Sequence, residues 1–264
     1  MKTTAACPGM EVYMFTTLLV LLLGLAVGSF LNVVIYRIPR EMSLVRPGSH
    51  CPRCKSRIRP FDLVPVFGWI ALCGRCRACG ERISSVYPLV ELMTGGLFVL
   101  AYMAFGPTAA FVRTCVFLST LLALSFIDLE HRILPNSIVL LGFLMGIPLS
   151  LIISPGVLLN GLLGALVCGG GLLLIALVYP AGMGGGDVKL AGMIGLYLGL
   201  GPGLLALFMG FWAGALFGLT MIVLRRMTRK DYMPFGPFLS LGALIMTLWG
   251  DSVVQWWLLN IWRM

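Results

Sequence analysis

Residues 14–36 read MFTTLLVLLLGLAVGSFLNVVIY, 23 residues without a charge. About 20 apolar residues are enough for a helix to cross a bilayer. A cleavable signal peptide is the alternative, because Lys2 precedes the run and Ala26 and Gly28 lie in it. A signal h-region spans only about 7–15 residues, however. This run is longer and is followed by Arg37, Arg40 and Arg46. It is therefore expected to be a retained first helix with its N-terminus outside.

The rest of the chain repeats this pattern. Of 264 residues, 59% are hydrophobic and 11% charged, against about 45–50% and about 25% in soluble domains. A soluble enzyme, a disordered chain and a disulfide-rich secreted module are excluded. Further apolar runs fall at about 89–106, 110–127, 137–154, 157–180, 188–201, 203–224 and 236–260. They are separated by Gly/Pro breaks and one basic run. The fold expected is an all-α polytopic membrane protein of about eight transmembrane helices, with a small cytoplasmic zinc-ribbon-like insertion after the first. The run at 188–201 is short, as in a tilted or thinned segment beside a cavity.

The net charge of +9 would suggest nucleic acid in a soluble protein. Here its distribution is topological. Ten of nineteen basic residues fall between Arg37 and Arg82, and Arg225, Arg226, Arg229 and Lys230 form a second cluster. Loops rich in Lys and Arg stay in the cytoplasm. Eight spans put 37–88, 128–136, 181–187 and 225–235 on that side, leaving Lys2, Arg113 and Arg263 outside. Glycines four apart (Gly24/Gly28, Gly142/Gly146, Gly210/Gly214/Gly218) read as helix-packing faces without chemistry.

Five of the eight cysteines lie in the first basic segment. Cys51-Pro-Arg-Cys54 and Cys76-Arg-Ala-Cys79 are two CxxC pairs 21 residues apart, the pattern of a tetrathiolate zinc site. Four protein ligands make such a site closed and structural. Cys73 is read as a free thiol, and Cys7, Cys115 and Cys168 as inert. The neighbouring basic residues offset the negative charge of a zinc tetrathiolate.

Only ten residues are acidic. Asp128 ends one apolar run and Asp187 follows a glycine cluster, both on the predicted cytoplasmic side. Carboxylates at membrane depth are functional candidates. The structural alternatives are an Asp128–Arg132 pair at i, i+4 and an N-cap at Asp187, paired with Lys189. Together they suggest an aspartyl dyad sharing one proton, in which one carboxylate activates water and the other protonates the departing amine. Gly184 and Gly186 are expected to permit unusual backbone conformations and close approach of a substrate strand. Asp187 should start a helix and Asp128 end one. On the helix dipole, that makes Asp187 the general base and Asp128 the holder of the shared proton.

The Gly-x-Gly-Asp at 184–187 resembles the signature of membrane-embedded GxGD aspartyl proteases. The longer string Gly-Met-Gly-Gly-Gly-Asp-Val-Lys-Leu at 182–190 resembles that of bacterial type IV prepilin leader peptidases. So do GSFLNVVIYRIP at 28–39, the two CxxC pairs, Tyr-Pro-Leu-Val-Glu at 87–91 and Pro-Phe-Gly-Pro at 234–237. The likeness runs in order from about residue 24 to 251.

The resemblance implies that Asp128 and Asp187 are the catalytic pair. It implies cleavage of prepilin or pseudopilin precursors of a type IV pilus or type II secretion system, after a basic leader, at the cytoplasmic face of the inner membrane. It also implies N-methylation of the new N-terminus with S-adenosylmethionine by the cysteine domain. On this division 1–36 is the first transmembrane helix, 37–88 the four-cysteine zinc domain that carries methylation, and 89–264 the peptidase core. Glu91 and Gly74 are the methylation candidates, a plain turn glycine being the alternative at Gly74. Membrane lipid is a partner, nucleic acid is not, and a homo-oligomer is compatible with the sequence. Three departures from the family pattern are a short turn at 40–48, the extra Cys73, and Asn136 where many relatives carry Asp. The competing functions are a proton-coupled transporter, which would need midplane carboxylates and repeated halves, and a non-catalytic scaffold docking through its zinc site.

Overall fold

The structure is a computed structural model that describes residues 8–179, 184–226, 228 and 233–261. The expectations placed on Lys2, Cys7, Gly182, Arg229, Lys230 and Arg263 lie outside the described residues. The chain forms helices α1 (Pro8–Arg37), α2 (Phe67–Ala71), α3 (Val86–Phe105), α4 (Ala109–His131), α5 (Asn136–Ile153), α6 (Pro155–Val178), α7 (Gly185–Leu198), α8 (Leu200–Val223) and α9 (Gly236–Ile261). Seven of them are long and apolar enough to cross a membrane. The chain divides into two compact units, the first ending at Pro107 and the second starting at Thr108.

In the first unit α1 packs lengthwise on α3. A Cβ on Gly24 would lie 2.8 Å from Gly95 Cα, and one on Gly28 2.7 Å from Glu91 Cα. These glycines are the small-residue face of α1, and the contact needs them. Between the two helices, the segment 38–85 buries only Cys51, Gly68 and Gly74. It has almost no apolar core, so other bonds must order it. Arg37, expected as a topological charge, is buried. Its guanidinium donates to the carbonyls of Ser43 (2.8 Å) and Pro47 (2.7 Å), which folds the 43–47 turn onto the end of α1.

In the second unit α7 is the innermost helix. Leu190, Ala191, Met193, Ile194 and Leu196 are fully buried, while leucines on the outer faces of α5, α6 and α8 are exposed where lipid would cover them. With 14 residues, α7 is about 21 Å long, short of a hydrocarbon core of about 30 Å. The span expected at 188–201 is therefore a part-length helix. Its last carbonyls end among other helices, where water cannot satisfy them. Arg113 of α4 meets that need, donating to Leu196 O (3.0 Å) and Tyr197 O (2.7 Å), and to Ser150 Oγ (2.9 Å). Arg113, expected on the outer side within the run 110–127, lies near the start of α4, and these partners explain how a charge is accommodated there.

The break before α8 is at Gly199 (φ 81°), not at Gly201-Pro202-Gly203. Proline is tolerated in a first helical turn, where its missing N–H has no partner to lose, so Pro202 lies inside α8. The five-residue α2 has no counterpart among the apolar runs.

The α6–α7 contact leaves no room for a side chain. A Cβ on Gly164 would run into Gly195 O, and one on Gly195 into Gly164 O. Backbone cannot yield as a side-chain tip can. Gly195→Val should therefore destabilise the second unit beyond the usual overpacking cost of about 1–3 kcal/mol. A lowered melting temperature in detergent checks this; an unchanged one would mean that the helices separate freely.

Candidate functional site

Asp128 lies in the last turn of α4 and Asp187 in the first turn of α7. The two helix ends, with the loop 132–135, the start of α5 and Gly184, border an open cavity of about 270 Å³. It is lined by both aspartates, Arg132, Ile133, Leu134, Asn136, Gly184 and Gly186. Far apart in sequence, the two carboxylates face one space.

Each is buried, Asp128 2% and Asp187 6% exposed, and a buried carboxylate needs donors. Asp187 accepts the Gly184 N–H at 3.3 Å, while its own N–H donates to Gly184 O at 3.1 Å. The capping role foreseen for Asp187 is therefore real, but it is exercised from the third helical position, with Gly184 as N-cap. Asp128 accepts the Gly236 N–H at 2.9 Å. Among the described residues no Asp128–Arg132 ion pair forms. Lys189 turns to Asn136 Oδ1 (2.7 Å) and not to Asp187.

The Gly236 contact changes how the dyad is understood. Gly236 is the first residue of α9, so Asp128 sits at the end of α4 and also against a helix N-terminus. Both expected helix-end placements are present, yet the dipole no longer separates the two carboxylates into base and acid. The Pro-Phe-Gly-Pro string at 234–237 held the signal: Gly followed by Pro opens a helix with a free N–H.

Gly186 and Gly236 act by size. Gly184 has an ordinary extended backbone (φ −76°, ψ 144°), and Gly186 is helical, so the unusual conformations expected of them are not present. Close approach is. A Cβ on Gly186 would meet Leu134 Cβ at 2.8 Å, and one on Gly236 would meet Asp128 Oδ2 at 2.8 Å and Leu134 Cδ2 at 3.2 Å. Leu134 is wedged between two glycines, and so brings α7 and α9 against the loop that follows Asp128.

The first unit holds a second constellation. The Cys51–Cys54 and Cys76–Cys79 turns share one geometry. Lys55 N donates to Cys51 O (3.0 Å) and Gly80 N to Cys76 O (2.9 Å). The residue after each second cysteine is left-handed, Lys55 at φ 59° and Gly80 at φ 71°. All four sulfurs lie within 4.8 Å of one another, and Cys51 Sγ is 3.9 Å from Cys79 Sγ. A tetrahedral ion with metal–sulfur bonds of about 2.3 Å puts its sulfurs about 3.8 Å apart, so the donor set fits one metal ion. Hydrogen bonds from the Ser56 side chain and backbone pull the Cys54 thiol down to about 6, while burial and the neighbouring sulfurs push Cys79 up to about 12. Arg53–Glu81 ties the two turns together, and a bidentate Arg77–Asp62 pair (2.6 and 3.0 Å) ties the second turn to the segment between them. Cys73 lies outside this group and lines a separate cavity with Trp69, Gly74 and Arg75.

Gly74 is left-handed (φ 64°), and a Cβ there would meet Trp69 Cζ2 at 2.9 Å. Its requirement is local, as the turn-glycine alternative expects, though it also borders that cavity. Glu91 is buried in α3, where Oε2 accepts the Val66 N–H at 2.7 Å, ahead of α2.

These two constellations coincide with two matched segments. Residues 22–105 match the Bacterial Peptidase A24 N-terminal domain and residues 115–219 the Type IV leader peptidase family. A protein of Bacillus subtilis is 34% identical over 236 residues, 89% of this chain and 95% of that protein. The chain belongs to the type IV leader peptidase family. Other leader peptidase relatives include one from Pseudomonas aeruginosa, 35% identical over 266 residues (90% of this chain, 92% of that protein). Another, from Myxococcus xanthus, is 46% identical over 165 residues, which is 62% of this chain but only 49% of that protein. All three carry the name prepilin leader peptidase/N-methyltransferase. No solved structure matches the chain. With its seven apolar helices, this family member is a multi-pass membrane protein.

Proposed function

We propose that the chain is a membrane aspartyl peptidase that removes the leader of type IV prepilins or pseudopilins and methylates the new N-terminus. The observation that supports it best is the shared cavity: two buried carboxylates from α4 and α7 opening on one space. One carboxylate takes a proton from the attacking water and the other gives its proton to the departing amine. The helix-bound N–H groups of Gly184 and Gly236 hold the two carboxyl groups in place.

The basic loops orient the chain in the bacterial inner membrane with the cavity and the 37–88 segment facing the cytoplasm and the N-terminus outside. Residues 89–264 form the peptidase core, the carboxylates lying in the unit that starts at Thr108. The 37–88 segment is the methylation domain, with S-adenosylmethionine as donor and Gly74 and Glu91 as its candidate residues. Lipid surrounds the apolar helices; a homo-oligomer is compatible with this arrangement. The ion held by Cys51, Cys54, Cys76 and Cys79 is zinc. With four thiolates it has no open position, so its contribution is to order the segment.

Incubating the purified chain with a prepilin, with and without S-adenosylmethionine, and weighing the products tests the whole reading. Leader loss in both samples, plus one methyl group in the second, is expected; an uncut prepilin would end it. A separate check concerns the metal. Cys79→Ser should lose most of its zinc by metal analysis, while Cys73→Ser should keep it. Full zinc in Cys79→Ser would refute the ligand set.

A further inference from the structure

Among the described residues, the cavity between α4 and α7 has one cation in its lining. Of the eight described residues around it only Arg132 is basic. Lys189, the nearest basic residue in the α7 motif, is hydrogen-bonded to Asn136 and does not line the cavity. Arg132 caps α4, its N–H donating to Asp128 O at 2.9 Å, in a left-handed conformation (φ 56°, ψ 36°). Long side chains seldom occupy that conformation, yet Arg225 also adopts it at the end of α8. Conformation alone therefore says little. What sets Arg132 apart is that its helix end opens onto two carboxylates.

Charge balance decides what a cation does there. Two carboxylates sharing one proton carry one negative charge. When water attacks the scissile carbonyl carbon, one water proton passes to a carboxylate and the carbonyl oxygen becomes an oxyanion. When the C–N bond breaks, the amine takes a proton and that oxygen ends in the carboxylate of the released leader. The site carries one negative charge throughout, but that charge moves from the dyad onto the substrate oxygen at the intermediate, in a cavity of about 270 Å³, and the released leader then adds its own carboxylate as the amine takes up a proton. A fixed positive charge beside that oxygen stabilises the charge where it arrives. The geometry points to Arg132 as that counter-charge: it binds the scissile carbonyl oxygen as it becomes an anion, and then the carboxylate of the released leader. This rests on the peptidase reading above. The role is catalytic, because the guanidinium would touch the reacting oxygen.

The backbone supplies the test. Glycine suits a left-handed helix cap better than arginine does. A residue serving only structure should therefore be replaceable in Arg132→Gly, with equal or higher melting temperature. On the proposal, Arg132→Gly melts no lower than wild type, yet kcat on a prepilin falls about 10²-fold with KM changed little. Arg132→Lys should retain an intermediate rate. Arg132→Asn, which also tolerates this conformation, guards against misfolding of the glycine variant.

A second readout does not depend on turnover. A synthetic leader ending in a free carboxylate should inhibit wild type more strongly than the same leader ending in an amide, and the difference should vanish in Arg132→Gly. Wild-type kcat in folded Arg132→Gly, or equal inhibition of wild type by acid and amide, would overturn the role. If wild type itself cuts no prepilin, it is the peptidase reading that has failed; if wild type cuts and Arg132→Gly cuts as fast, only this inference has.

Discussion

Asp128→Asn and Asp187→Asn should each lower leader cleavage at least about 10³-fold while the protein stays folded and metal-loaded. The hydrogen bonds make asparagine a conservative substitute at both positions. Asp187 uses one oxygen to accept Gly184 N–H and Asp128 one to accept Gly236 N–H. The asparagine amide keeps an acceptor oxygen of the same shape, so both helix starts stay capped. What is lost is the ability to take up and release a proton. Both variants should therefore share the wild-type melting temperature within a few degrees, and intact-mass analysis should show uncut prepilin. Substantial cleavage by either folded variant would leave one carboxylate sufficient and remove the dyad.

The second large effect should fall on methylation. In the 38–85 segment only Cys51, Gly68 and Gly74 are buried, so its order rests on the sulfur cluster and a few side-chain bonds. Small domains of this kind commonly take most of their folding energy from the metal. The α1–α3 contact and the bundle from α4 to α9 have their own close packing. Cys54→Ser or Cys79→Ser should thus reduce methylated product more than about tenfold and leader cleavage less than about threefold. The readout is the mass ratio of cleaved to cleaved-and-methylated pilin across the variants. A strictly proportional decline of both would show that the activities do not separate along this line.

Much of this is legible in the sequence, for identifiable reasons. Apolar runs bounded by Gly and Pro reproduce the long helices to within a few residues, since in a bilayer the backbone has few alternatives to helix. The CxxC spacing brings Cys51, Cys54, Cys76 and Cys79 together because it fixes sulfur geometry locally. Asp128 and Asp187 stand out because charge is rare here. What stays hidden depends on distant contacts. The Gly236 N–H at Asp128, 108 positions away, has no local pattern beyond a Gly-Pro helix start. Leu134 looks like any loop leucine until Gly186 and Gly236 are seen closing on it. What Arg113 bonds to inside its run stays hidden until α7 proves too short to reach the interface. The unusual backbone expected at Gly184 and Gly186 is absent because glycine signals either backbone freedom or lack of bulk, and sequence alone does not say which.

That the scissile bond is cut in the cavity between α4 and α7 is tested most directly by a photocrosslink. A prepilin carrying a photoreactive side chain next to its cleavage site would be bound to Asp187→Asn, which keeps the cavity but does not cut. Crosslinks are expected to map to 132–136 and 184–186. Crosslinks confined to 38–85, or to the outer faces of the helices, would contradict cleavage in that cavity.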